Sequence, residues 1–451
     1  MNMKLMFSAL LSATVLAGAA QAESLADAMT LAYVTNPLLQ AERAGLRATD
    51  EQLAQARARR LPSAQLDASY GYSKVKQSSP FFSDTSGFKP RSAGIGVNQT
   101  LYGGGAIRGG INVAKANIEA GRANLVGVEQ SVLLDAATAY LDVLRDADVV
   151  LIRRNNVEVL ARQRQAAQDR FDVGEITRTD VSQAIARVAG AQAQLQAALS
   201  TLANSRAAYE RVVGRMPGSL EAVETPLNIP EDLQIARQIA GDQSPIVRAA
   251  IHAEEAARQQ IYVAKAGLRP SVTLGVNGST AKNSSFPGQK VDSLTGAARL
   301  SIPIFTGGLN QSQTRQAKQR ASQARLQMAQ TRRQVNEQVA RAWSALVAAR
   351  AVIVSSEEQV KANELAFEGV EQEAQVGLRT TLDVLDAEQE LLNARLTLVS
   401  AEHDADLAAY GLLAATGQLT AQKLDLKVVY YDPASYGKTT ARGLFGTRID
   451  E

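Results

Sequence analysis

The chain has 451 residues, enough for two or more ordinary domains. Its 48 basic and 45 acidic residues nearly cancel and no basic block stands out, so it has no electrostatic footprint for nucleic acid. The absence of cysteine excludes a disulfide framework and thiolate metal sites, and the only imidazoles, His252 and His403, each stand alone in a helical stretch that favours a surface or packing role.

The first 22 residues read as a secretory leader. Lys4 supplies the charged start, Leu5 to Leu16 the apolar region, and Ala20-Gln-Ala22 a small-x-small cleavage site, with the mature chain starting near Glu23. The apolar run is too short for the roughly 20 residues of a membrane-spanning helix. No cysteine follows it for a lipid anchor, and no later unbroken run of 18 apolar residues exists. A mature chain that enters a membrane would therefore do so with strands.

The rest of the sequence is written twice. Asn36-Pro37 matches Ser244-Pro245 and Leu61-Pro62 matches Arg269-Pro270, both at an offset of 208. Leu101 to Gly105 matches Ile304 to Gly308 at an offset of 203, as do Gly174 and Gly377, Asp180 and Asp383, and Gly214 and Gly417. Such duplication fixes architecture before detail. The first repeat spans 23–214 and the second 244–417, with an inter-repeat segment at 215–243 and an equatorial segment plus polar tail at 418–451. The first repeat carries about five extra residues between Pro62 and Leu101.

Each repeat opens with a helical pattern that Pro62 or Pro270 stops, because proline removes a donor and pushes its predecessor toward extended backbone. Alternation follows. Ala64, Leu66, Ala68, Tyr70 and Tyr72 share one strand face, and after a polar loop Ile95, Val97, Gln99 and Leu101 share another. The second repeat offers Val272, Leu274 and Val276, then Ala298, Leu300, Ile302 and Ile304. The hairpins cover about 63–102 and 271–305, and each strand has about the ten residues that a tilted strand needs to cross a bilayer. Tyr70, Tyr72, Tyr102 and Phe305 suit interfacial girdles.

Gly104 and Gly307 mark the return to helix. Proline is absent from Ala106 to Asp172 and from Leu309 to Gln375, so each segment predicts a helix of roughly 100 Å. A turn at Gly174 or Gly377 sends a second helix back, completing helical hairpins over 104–214 and 308–417. The returning helices repeat apolar residues every seven positions: Val181, Val188, Leu195, Leu202 and Tyr209, joined by Ile185 and Leu199, then Val384, Leu391, Leu398, Ala405 and Leu412. Coiled-coil packing is the expectation. Segment 215–243 shows no clear period. Four strands per chain cannot close a membrane barrel, which needs at least eight, so several chains must share one.

These features resemble the TolC family of outer-membrane efflux and type I secretion channels. The carrying motifs are Thr30-Leu-Ala-Tyr-Val-Thr-Asn-Pro37, Gln99-Thr-Leu-Tyr-Gly-Gly104, Phe171-Asp-Val-Gly174 and Val376-Gly-Leu-Arg-Thr-Thr-Leu-Asp-Val-Leu-Asp-Ala387. The resemblance implies a mainly α fold with membrane β: a homotrimer whose 12-stranded β-barrel, four strands per protomer, continues into a 12-helix periplasmic α-barrel. It implies a passive duct in the outer-membrane lipid with no catalytic chemistry and no cofactor. A periplasmic adaptor would join it to an inner-membrane RND or ABC transporter. Asp383 and Asp386 match an aspartate ring at the periplasmic entrance, where crowding would raise some of their pKa values and favour cations. Arg379, Thr179 and Asp180 match a latch, with an Arg379–Asp180 pair as its charged contact. Ala374 stands where the family's best-known latch has a tyrosine.

Read without the family, Asp180 and Asp383 also suit helix caps. Paired carboxylates can serve acid–base catalysis, but no nucleophile, phosphate loop or metal cluster accompanies them. Two other functions compete: a duct for secreted polypeptides, and a soluble periplasmic coiled-coil scaffold or adaptor. The scaffold leaves the four matched strands unexplained.

Overall fold

The computed structural model describes residues 23–79, 82–223, 229–285 and 287–440. The expected leader, 1–22, lies outside the described residues, as does the polar tail from 441 onward.

The first repeat opens with α1 (Leu25–Thr35) and α2 (Pro37–Ala58). Asn36 caps α2 by accepting from the Leu38 N–H, and Pro37 takes the first helical position, where its missing donor costs nothing. Pro62 stands immediately before β1 (Ser63–Tyr70). The segment expected to be a polar loop is itself paired: β2 (Ser73–Ser79) and β3 (Phe82–Phe88) form an antiparallel ribbon. A Gly71 N–H to Pro90 carbonyl bond of 2.9 Å holds the two chains together where they leave the sheet. The chain returns as β4 (Arg91–Gly103) and enters α3 (Ala106–Asp172) and α4 (Arg178–Val213).

The second repeat starts earlier than periodicity showed. α5 (Leu233–Gln243) forms inside the segment read as aperiodic, because Asp232 caps it and Ala236 and Ala240 bury a narrow stripe too small to register as a pattern. Then follow α6 (Pro245–Ala266), β5 (Ser271–Lys282) directly after Pro270, β6 (Lys290–Ser301), α7 (Leu309–Gln375), α8 (Thr381–Thr416) and α9 (Ser435–Thr440). Ile302 and Ile304 fall beyond β6. Pro303 lacks the N–H a ladder needs and ends the strand there.

Four strands make one antiparallel sheet in the order β1-β4-β5-β6. β4 and β5, from different repeats, pair at its centre, leaving β1 and β6 as open edges. The register sorts the two faces. Leu66 opposes Ile95, Val97 opposes Val276, Leu274 opposes Ala298 and Val272 opposes Leu300. The other face holds Asp67, Asn277 opposite Thr295, Thr273 opposite Arg299, and a Ser69–Ser92 hydroxyl pair at 2.9 Å. A bulge between Thr100 and Tyr102 corrects the expected alternation. It puts Tyr102, rather than Leu101, opposite Val272 on the apolar face. Nothing among the described residues covers that face: Leu66 is 75% exposed, Leu294 81% and Leu300 61%.

The strand-to-helix junctions use left-handed glycines. Gly104 (φ 62°) and Gly105 precede α3, and Gly307 (φ 60°) and Gly308 precede α7. Gly104 is also pressed against the end of α6, where a Cβ would lie 2.6 Å from the Ala266 carbonyl oxygen. Arg269 donates to the Gly104 carbonyl at 3.2 Å, tying the two repeats together at this level.

α3 and α7 have 67 residues each, on the order of 100 Å. α4 returns along α3 and α8 along α7, and α3 also packs on α6 and α8. The heptad positions Val181, Val188, Leu202, Tyr209, Val384, Leu391 and Leu412 are buried. Ile185 and Leu199 lie off the seam and stay exposed in the single chain. Among the described residues one helix, α7, contains a window apolar enough to cross a membrane. Arg341 and Arg350 interrupt it as an unbroken apolar run; Val339 and Leu346 join a core shared with α5 and α8, while Val347, Val352 and Val354 stay exposed in the single chain.

A belt surrounds the middle of these helices. The largest core joins Met29 and Tyr33 of α1, Leu133 and Tyr140 of α3, Tyr209 of α4 and Leu413 of α8. Glu23 is buried within the belt. Its carboxylate accepts from the Tyr209 hydroxyl at 2.6 Å and from Arg215 at 2.7 Å, while its backbone bonds the 219–221 segment. His403 of α8 is also in this belt. Its Nε2 lies 3.0 Å from Asp142 of α3, and its Nδ1 3.0 Å from Asp404. Arg145 bridges Asp142 and Asp146, and Ser205 of α4 donates to Asp146. The Asp142 hydrogen bond raises the His403 pKa above 6.5 against the cost of burial, and the same bond lowers Asp142 below 3.8.

Two outcomes follow from these contacts. Gly104→Ala combines a left-handed backbone with a backbone clash and is expected to cost about 2–4 kcal/mol, read as a lower thermal midpoint by circular dichroism in detergent; an unchanged midpoint would show that the junction relaxes freely. The His403–Asp142 link is at full strength between the ordinary values of its partners, 3.8 and 6.5. It weakens as pH rises through the raised histidine value or falls through the lowered aspartate value. His403→Gln is therefore expected to lower the midpoint most at about pH 5–6, by about 1–2 kcal/mol, with the gap shrinking by about pH 9. A gap independent of pH would contradict a charged histidine.

Candidate functional site at the helical tips

The far ends of both helical hairpins are built from the same chemistry, 203 residues apart. α3 ends with Gly174 at φ 83° and α7 with Gly377 at φ 78°. At each end two hydrogen bonds close the helix. The glycine N–H reaches back three residues, to Phe171 at 2.9 Å or Ala374 at 3.2 Å, and the next N–H reaches back five, from Glu175 to Arg170 and from Leu378 to Glu373, each at 2.9 Å. This is the Schellman arrangement, which satisfies terminal carbonyls and requires a left-handed residue.

Three residues later a threonine starts the returning helix. Thr177 and Thr380 cap α4 and α8, and Asp180 and Asp383 complete reciprocal capping boxes. The Asp383 carboxylate accepts from the Thr380 N–H at 2.9 Å and its hydroxyl at 2.8 Å. Asp180 does the same with Thr177 at 2.9 and 2.8 Å. These donors, the backbone N–H first, hold both carboxyls below their usual range. Within one chain the shift is opposite to the one crowding would produce, because crowding needs carboxylates from other chains.

The Arg379–Asp180 pair is not formed within the chain. Asp180 is taken by its own cap, and Arg379 donates to Glu373 at 2.8 Å across the turn of its own hairpin. Thr179, the second residue of α4, is exposed. Near the tips the hairpins are instead joined by four links that the sequence reading missed. Arg170 of α3 donates to the Ala374 carbonyl at 3.0 Å, and Gln163 to Glu371 at 3.1 Å. Asn156 of α3 donates to Glu388 of α8 at 3.0 Å, and Arg187 of α4 pairs with Asp386 of α8 at 2.7 Å. Ala374 is buried, and its carbonyl takes the Arg170 guanidinium.

Asn156 and Glu388 are themselves buried, next to a small core of Leu160, Val188, Ala191 and Leu385. Burial pushes the Glu388 carboxyl up, and the Asn156 bond opposes it. One signal for this pair was present in the sequence. Glu388 sits four residues after Val384 and three before Leu391, a carboxylate inside the apolar stripe. Arg187 and Asp386 are 199 residues apart and left no local trace.

With this geometry described, the comparisons decide the family. The model of the outer membrane efflux protein family matches residues 29–215 and 236–418. The chain belongs to that family. It is 36% identical to the outer membrane efflux protein BepC of Brucella suis, over 98% of this chain and 96% of that one. It is 29% identical to the outer membrane protein TolC of Vibrio cholerae, over 90% and 93%. The crystal structure of the outer membrane protein VceC of Vibrio cholerae superposes with a TM-score of 0.74 at 25% identity, covering 87% of this chain and 96% of that one. TolC-family proteins are outer-membrane channels with a long helical periplasmic portion. As a family they form trimers, and they are transport ducts rather than enzymes.

The buried pair yields a test of its own. Glu388→Gln keeps an acceptor for Asn156 and removes the charge that burial disfavours. The variant is expected to be more stable than the parent at neutral pH by up to about 1 kcal/mol, with the advantage vanishing as pH falls and the native carboxyl protonates. A loss of stability at neutral pH would show that the ionised form is required.

Proposed function

We propose that this chain is the exit duct of a tripartite efflux system, carrying small toxic compounds such as drugs, detergents and dyes out through the outer membrane. Three copies would pool their sheets into a 12-stranded barrel and their helices into a 12-helix periplasmic tunnel. A periplasmic adaptor would dock it to an inner-membrane RND or ABC transporter, which supplies the energy. The observation that carries this reading is the sheet. It has one apolar face that the chain leaves bare and two edges that the chain leaves open, a combination that only lipid and further strands can satisfy. A soluble scaffold would have to expose both to water. Type I secretion of polypeptides uses the same architecture and is the second reading.

In this duct the helical tips form the entrance. Asp383 and Asp386 lie three residues apart at the start of α8, so three copies bring six carboxylates to one opening. Arg379, Thr179 and Asp180 stand on the two tips of each protomer, placed to meet across neighbouring copies. The Arg379–Glu373 bond and the Schellman turn fix the direction from which Arg379 approaches.

Outer-membrane fractions are expected to contain heat-modifiable oligomers of the chain, and the purified protein to conduct in planar bilayers; release by osmotic shock as a soluble species would support the scaffold instead. Replacing Asp383 and Asp386 by Ala is expected to lower the cation-over-anion permeability ratio by at least about twofold, and unchanged selectivity would remove the ring. Arg379→Ser is expected to raise single-channel conductance, and unaltered conductance would remove Arg379 from the gate.

A further inference from the structure

The two tip carboxylates have different partners. Asp383 is held by Thr380 at the cap of its own helix, a contact that travels with the helix wherever it moves. Asp386 is held by Arg187, a residue of the other hairpin, at 2.7 Å. We infer that Arg187 determines the charge selectivity of the entrance: it neutralises Asp386 while the two hairpins lie together and uncovers that carboxylate when they part. This rests on the duct reading above.

Three observations support the assignment. The pair is exposed, with Arg187 at 39% and Asp386 at 56%, so it is screened by water and exchanges readily. Such a contact is suited to breaking on each opening rather than to holding the fold. The seam beneath it is loosely filled. A cavity of about 190 Å³ lies between α3, α4 and α8, lined by Leu160, Arg187, Gly190, Leu385 and Glu388. A Cβ added at Gly190 would meet nothing within 4 Å. Finally, the contact has no repeat counterpart. At the 203 offset Arg187 corresponds to Glu390 and Asp386 to Gln183, which cannot form an ion pair. The bridge therefore belongs to the seam between the two hairpins of one protomer, and the seam between protomers must close by other means.

The consequence is an entrance whose charge depends on its width. Closed, each protomer offers one free tip carboxylate, Asp383. Open, it offers two, together with an arginine withdrawn onto α4.

The test uses the full-length protein in planar bilayers with a KCl gradient, reading reversal potential and conductance. Arg187→Gln is expected to raise the cation-over-anion permeability ratio by about twofold or more at about 0.1 M salt, fading at about 1 M as the charges are screened. Asp386→Asn leaves the Arg187 charge unpaired and is expected to lower the ratio, and adding Arg187→Gln to it to return the ratio to near the parent value. Arg187→Lys keeps the charge and is expected to resemble the parent. The exchange of both charges, Arg187→Asp with Asp386→Arg, keeps the pair neutral and is expected to keep the ratio near that of the parent. Selectivity unmoved by Arg187→Gln overturns the inference. So does a double variant that stays at the Asp386→Asn value, or a shift that Arg187→Lys reproduces. A parent protein that does not conduct at all would instead sink the duct reading, and this inference with it.

Discussion

Backbone hydrogen bonding in lipid constrains everything else here. A strand inside a bilayer has no water to satisfy its N–H and C=O groups, and each orphan costs several kcal/mol. The sheet β1-β4-β5-β6 satisfies its two central strands and leaves an edge on each side. Its apolar face, with Leu66, Ile95, Leu274 and Leu300, has no cover among the described residues, while its other face is hydroxyl, amide and charge. A sheet of four strands cannot curl onto itself. The open edges demand strands from further copies, which the family's trimeric state supplies, and the polar face then lines a wet lumen.

The helices follow from the same constraint. Gly104-Gly105 and Gly307-Gly308 turn each strand directly into a 67-residue helix, so the wall of the barrel continues as the wall of a tube. A helix of that length has no stability to spare on its own and draws it from neighbours along the seam. Hence the small and β-branched seam residues, the belt that grips the middle through Tyr140, Tyr209 and His403, and the capped turns at the tips. At the tips the polar links between the two hairpins surround only a small core of Leu160, Val188, Ala191 and Leu385, whereas the His403–Asp142 link in the belt is backed by the largest core. Parting therefore costs least at the tips.

Much of this was legible in the sequence because it is written in local signals. Prolines 62 and 270 stop helices, alternation gives the strands, and long proline-free stretches set off by glycine pairs give α3 and α7. Repetition at a fixed offset made each signal readable twice. What escaped was non-local or too short. α5 has a buried stripe of two alanines. The ribbon β2–β3 is polar, and its pairing is inherited from the ladder that precedes it. The bulge at Thr100–Tyr102 shifts the face of one tyrosine and depends on register with β5. At the gate, the aspartates and glycines stood out because their turns are local. The partners did not: Arg187 meets Asp386, and Asn156 meets Glu388, only after the hairpins pack. The resemblance suggested Arg379 with Asp180, but within the chain each finds a nearer partner first.

The central claim is that β1 of one copy pairs with β6 of the next. The chain contains no cysteine, so cysteines can be introduced in pairs without background. Asp67→Cys on β1 would be combined in turn with a cysteine at each position from 290 to 301 on β6, and oxidised in intact outer membranes. The account predicts that in-register pairs give a covalent ladder ending at the trimer on denaturing gels. Cross-links confined to the monomer at every register would contradict it.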